Sequence, residues 1–178
     1  MAPAQIALWL VLGVALVISV VTDVARRRIL DVVTLPALAL GLGIRLVAMG
    51  PGDPVSGFLG GALGALLLFA VFGLLAWRKK MGWGDAKLSA AVGACLGLPL
   101  AAWALVFISV AGAVQALVTL LWQGAVIDTL AAAMRRGAQR LGLAAKGEQA
   151  QRRHIPYGVA IALGTFWAMW WDRGGISP

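Results

Sequence analysis

Charge is scarce in this chain. Only 12% of its 178 residues are Asp, Glu, Lys or Arg, against about a quarter in a soluble domain. Acids are scarcer still, with 7 Asp and Glu against 15 Lys and Arg. There is one cysteine, Cys95, so no disulfide can form within the chain and no thiolate metal cluster can be built. There is one histidine, His154, and no Ser/His/Asp set, P-loop or HExxH motif. Alternating strand patterns of an outer-membrane barrel are also missing. What remains is 61% hydrophobic residues with a mean hydropathy of +0.91. A water-soluble core does not account for such a chain, and a polytopic helical membrane protein does.

Six apolar segments are expected. They cover about 4–22, 32–49, 55–77, 86–98, 99–122 and 155–171. Gly50-Pro51-Gly52-Asp53-Pro54 is a loop signal between the second and third. The run from Ala86 to Trp122 would be about 55 Å long as one helix, well beyond a bilayer of about 30 Å. It is therefore expected to fold back at Leu98-Pro99, leaving a short fourth segment. The first segment has no basic residues before it and reads as a retained helix rather than a cleaved signal. The fold expected is an all-α bundle forming one membrane-embedded domain over residues 1–178.

Fifteen basic residues give +8 net charge, but they cluster at the ends of apolar runs, which argues against nucleic acid. With the N-terminus outside, all of them except Arg45 and Arg173 fall on the inner side. Arg45 is expected to snorkel to the outer surface, and Lys87 to lipid phosphate. Trp167, Trp170 and Trp171 suit an outer aromatic belt, Trp77 and Trp83 an inner one. In the long connection 123–154, an apolar stripe of Ile127, Leu130, Met134, Ala138 and Leu141 lies beside Arg135, Arg136 and Arg140. That pattern predicts an amphipathic helix on anionic inner-leaflet lipid. Gly57/Gly61, Gly60/Gly64 and Gly93/Gly97 are GxxxG pairs suited to tight helix packing.

Two acids stand out. Asp85 closes Gly82-Trp83-Gly84-Asp85 after the basic stub Arg78-Lys79-Lys80, and Asp23 ends the first segment before Arg26-Arg27-Arg28. Carboxylates at one depth of a membrane protein are costly to hold and mark a site. Paired carboxylates are also the equipment of an aspartic protease, one acting as base and one as acid. Gly82 and Gly84 would let a substrate backbone come close to Asp85. Each acid also has a plainer reading. Asp85 suits a helix cap after a glycine turn, and Asp23 an interfacial pair with Arg26 or Arg27. Asp31 competes as the second acid. Asp128, Glu148 and His154 read as solvated residues of a polar connection.

Asp23 with Arg26-Arg27-Arg28-Ile29, then Gly82-Trp83-Gly84-Asp85-Ala86-Lys87-Leu88, then Ile155-Pro156-Tyr157-Gly158-Val159 resembles the type IV prepilin leader peptidase family. The likeness is greatest to the short, peptidase-only members of tight-adherence (Flp-type) pilus systems, and it covers nearly the whole chain. It implies a bacterial inner-membrane aspartic peptidase with Asp23 and Asp85 as its acids and no metal or cofactor. It further implies that prepilin or pseudopilin precursors are cut at the cytoplasmic face, between a short basic leader and an apolar helix. The sequence departs from the family in two ways. Ile29-Leu30-Asp31 stands where the family often has Ile-Pro-Asn, and the four-cysteine zinc module of the larger, methylating members has no counterpart between the first two segments. The second departure implies cleavage without N-methylation. The rival class is a non-enzymatic component, such as an ion-coupled carrier or a pilus-assembly scaffold. A carrier would place its acids near mid-membrane.

Overall fold

The computed structural model describes residues 2–26, 28–53, 55, 57–79, 81–122 and 157–173. These fold as six helices: α1 (Pro3–Arg26), α2 (Asp31–Met49), α3 (Phe58–Trp77), α4 (Trp83–Leu96), α5 (Leu98–Trp122) and α6 (Tyr157–Arg173). No strand occurs among the described residues. The chain divides into two compact units, Met1–Gly112 with Pro156–Pro178, and Ala113–Ile155. Of the second unit the described residues are the last turns of α5, where Thr119 Oγ1 donates to the Gln115 carbonyl. The amphipathic helix expected over 123–154 lies outside the described residues, as do Asp128, Glu148 and His154.

Helix is the outcome because the apolar runs hold few breakers and the lipid-facing backbone must satisfy its own hydrogen bonds. α1, α2, α3 and residues 98–119 of α5 are long and apolar enough to cross a membrane. Their outward faces carry large exposed apolar side chains, among them Leu10, Val17, Val47, Leu66 and Val110. Facing lipid, such surface carries no penalty. Pro36 lies inside α2, one turn after its start at Asp31.

The core is assembled around α4. Every residue of α4 from Asp85 to Leu96 is buried except Lys87, and α4 packs on α1, α2, α3 and α6. Its neighbours contribute Leu8, Leu12, Leu16, Leu68, Phe72 and Ile161. α3 and α4 come closest where Gly64 meets Gly93. A Cβ on Gly64 would stand 2.6 Å from the Gly93 carbonyl oxygen, so any side chain would force the helices apart. This is the tight packing expected of the glycine pairs.

The long apolar run breaks at Gly97, which adopts φ +80°, a left-handed conformation that suits glycine. α5 then runs back antiparallel to α6. Trp103 lies on Trp171, Phe107 stacks on Trp167 at 5.3 Å, and Ile108 packs against Gly164. The break falls one residue before the expected Leu98-Pro99 turn. The fourth helix is short, as expected: 14 residues, about 21 Å.

A helix that ends inside the bundle leaves its last carbonyls without partners, and here Arg45 supplies them. Its Nε donates to the Ala94 carbonyl at 2.9 Å, and Nη2 to the Cys95 carbonyl at 3.0 Å. Nη1 reaches the Val55 carbonyl at 3.5 Å. The side chain is only 4% exposed. The expectation that Arg45 snorkels to the outer surface is thus corrected. Orphan carbonyls one helix away outbid lipid headgroups because a guanidinium fork can satisfy several at once.

Candidate active site

Four chain segments meet at one end of the first unit: the last turn of α1 and the first turns of α2, α4 and α6. Asp23 stands three residues before the end of α1 and is 4% exposed. Its Oδ2 accepts a hydrogen bond from the Gly158 backbone N–H, at the start of α6, at 2.8 Å. Asp85 stands in the first turn of α4 and is 9% exposed. Its Oδ2 accepts from the Gly82 backbone N–H at 3.1 Å, reaching back to an amide that the helix itself leaves unpaired. α1, α4 and α6 all pack on one another, which is what brings these acids together across a long stretch of sequence.

The plainer reading of Asp85 is therefore also realised, since its carboxylate does help to cap α4. The cap and the acid pair are compatible, because one carboxylate oxygen makes the cap contact. Of the two partners in the plainer reading of Asp23, Arg27 lies outside the described residues. Asp23 turns into the bundle towards Gly158, while Arg26 is exposed. Asp85 sits at the positive end of its own helix, whereas Asp23 faces the positive end of α6 from the last turn of α1, a negative end, so the two helix dipoles oppose each other at Asp23.

Gly82 and Gly84 flank Asp85 as the sequence places them. A Cβ on Gly82 would lie 3.1 Å from Asp85 Oδ2, and one on Gly84 would lie 2.9 Å from Ile29 Cβ. The Gly84 backbone therefore packs on the α1–α2 connection. On the side chains present, its lack of a Cβ is spent on that contact.

Asp31, the competing acid, is drawn elsewhere. It forms an ion pair with Lys87 at 2.6 Å, joining the start of α2 to α4. Both side chains are partly exposed, at 53% for Asp31 and 35% for Lys87. The expectation for Lys87 is lipid phosphate, and its ammonium instead meets Asp31. A carboxylate within reach is what redirects it. Beneath the acids, Ser89 Oγ donates to the Asp85 carbonyl at 2.9 Å, and the Ser19 and Thr34 side chains are fully buried. Sequence reading did not single out these hydroxyls, because serine and threonine in an apolar helix usually bond their own backbone. Nor did it assign Gly158 a role, although the Pro156-Tyr157-Gly158 run stood out as a motif.

The described residues form membrane-length apolar helices, with two buried aspartates at one end of the bundle. Residues 10–129, more than half of the chain, match the model of the type IV leader peptidase family, and the chain belongs to that family. Among its relatives is a prepilin leader peptidase/N-methyltransferase of Aeromonas hydrophila, 29% identical over 151 residues, covering 84% of this chain and 44% of the relative. A protein of the same name from Pectobacterium carotovorum subsp. carotovorum is 34% identical over 122 residues, covering 66% of this chain and 43% of the relative. The chain thus spans less than half the length of these relatives. No solved structure matches it.

Proposed function

We propose that this protein is a membrane aspartic endopeptidase of the short, peptidase-only kind. It removes the basic leader of type IV (Flp-like) prepilins or pseudopilins at the cytoplasmic face of the bacterial inner membrane. One observation carries the aspartic reading: Asp23 and Asp85, distant in sequence, are both buried at the end of the bundle where α1, α4 and α6 pack on one another. Family membership supports the substrate class.

In the proposed reaction one carboxylate takes a proton from a water, which attacks the scissile carbonyl. The other, protonated, donates a hydrogen bond to that carbonyl oxygen. The roles then exchange as the leaving amine takes up a proton. Such chemistry needs one carboxylate ionised and the other protonated, a division of labour that paired acids can supply. Arg26, Arg28, Arg78, Lys79 and Lys87 belong to the same end of the bundle as the acids. By the positive-inside rule that end faces the cytoplasm and the N-terminus lies outside. Acids at the end of the bundle rather than mid-span disfavour an ion-coupled carrier.

The test is cleavage of a purified prepilin by the purified protein in detergent. Asp23→Asn and Asp85→Asn should each cut the rate on the order of 10³-fold or more while leaving the protein folded. Asp128→Asn and Glu148→Gln should be close to silent. Normal cleavage by either of the first two variants would overturn the mechanism.

A further inference from the structure

The Asp23 carboxylate is held by the last helix of the bundle. Gly158 is the second residue of α6, so its N–H is one of the amides that no carbonyl of its own helix can accept. It donates instead to Asp23 Oδ2, at 2.8 Å in buried surroundings. A Cβ at Gly158 would stand 2.7 Å from that same oxygen, 3.2 Å from Asp23 Cβ and 3.3 Å from Asp23 Cγ. The backbone at Gly158 does not call for glycine by itself, because among the described glycines only Gly50 and Gly97 have positive φ. What calls for glycine there is the carboxylate. The position both offers a donor to one oxygen of Asp23 and removes the side chain that would push that oxygen away.

We infer that Gly158 is a positioning residue for the acid pair, fixing the Asp23 carboxylate by a backbone hydrogen bond that only a residue without a Cβ can bring close enough. This rests on the reading of Asp23 as a catalytic acid. Tying Oδ2 to α6 fixes the plane of the carboxylate and gives the handling of the water's proton to Oδ1. It also makes the start of α6 part of the reaction geometry. A misplacement of about 1 Å at a reacting group costs on the order of 10²-fold in rate.

The experiment compares Gly158→Ala with Gly13→Ala in cleavage of a prepilin by the full chain, with thermal unfolding of each. Gly13 lies on α1, the helix of Asp23, and a Cβ there meets nothing within 4 Å. Gly158→Ala should lower kcat by on the order of 10²-fold with KM within about three-fold, and Gly13→Ala should change neither. The Tm loss of Gly158→Ala should largely vanish when Asp23 is already Gly, since the carboxylate and the Cβ 3.2 Å away are then both gone. If Gly158→Ala alone does not fold, an Asp23→Gly/Gly158→Ala double variant that folds like Asp23→Gly alone supports the inference, and one that unfolds while Asp23→Gly alone folds overturns it. Cleavage by Gly158→Ala within three-fold of the parent kcat, or an equal Tm loss in both backgrounds, also overturns it. Asp23→Asn in the same assay separates the two readings. If it cleaves normally, the acid pair itself fails. If it is inactive while Gly158→Ala is normal, only the positioning role fails.

Discussion

Replacing Arg45 with Met should loosen the far end of the helix that carries Asp85. The guanidinium gives two well-formed hydrogen bonds to the Ala94 and Cys95 carbonyls, at 2.9 and 3.0 Å, and a long one to Val55. Bonds to a charged group contribute about 1.5–3 kcal/mol each, and a buried carbonyl left unpaired costs about 1–3 kcal/mol. Against this, Met avoids burying a charge and keeps much of the apolar contact that the Arg stem makes beside Gly61. The net loss should be about 2–4 kcal/mol. For a chain of this size each kcal/mol shifts Tm by about 2–4 °C, so the midpoint should fall by about 5–15 °C. Arg45→Lys should recover less than half of that, because an ammonium cannot fork across neighbouring carbonyls. The assay is thermal unfolding in detergent, read by helical circular dichroism. The folded fraction of either variant should keep its cleavage rate, since Arg45 lies at the opposite end of α4 from Asp85. A Tm within about 2 °C of the parent for Arg45→Met would refute the reasoning and restore the picture of an arginine that snorkels away.

Two further outcomes follow from the geometry and one from the proposed peptidase-only reading. Lys87→Ala should cost no more than about 1 kcal/mol in thermal unfolding, since its pair with Asp31 is partly exposed, and cleavage should stay within a few-fold. A hundred-fold rate loss would make Lys87 part of the site. Gly64→Ala should destabilise by about 1–3 kcal/mol, because the new Cβ would meet the Gly93 carbonyl oxygen at 2.6 Å and α3 and α4 must part. An unchanged Tm would show that the helices can separate without cost. Mature pilin made by this chain alone, with S-adenosylmethionine present, should carry a free N-terminal amine by mass spectrometry. A gain of one methyl mass would show that the chain also methylates.

Much of the fold was legible because lipid leaves a chain few choices. Apolar runs of helix length become helices, and the Gly50-Pro51-Gly52 signal ends one of them, whereas the fold-back expected at Leu98-Pro99 falls at Gly97, which the sequence marked only as half of a packing pair. Asp23 and Asp85 could be named because an acid beside an apolar helix is rare enough to be conspicuous. Partner choice was less legible. Arg45 and Lys87 were both assigned to lipid headgroups, by the rule for a long cation near a helix end. Each instead found an oxygen on another helix, the carbonyls ending α4 for Arg45 and the carboxylate of Asp31 for Lys87. Nothing local in the sequence says that those oxygens are in reach.

The sequence by itself determined a helical membrane chain, the charge asymmetry of its two ends, and the candidate acids. Those are properties of composition and of periodicity along one helix, and they need no knowledge of neighbours. Tertiary packing decided the rest. It joined Asp31 to Lys87, it turned Arg45 inward, and it set Gly158 against the Asp23 carboxylate. Each of these joins residues from different helices, so each depends on which faces meet and how closely. That closeness is set by small residues such as Gly64 and Gly93 at the crossing of α3 and α4. The pairing of faces is a property of the whole bundle and of no single segment.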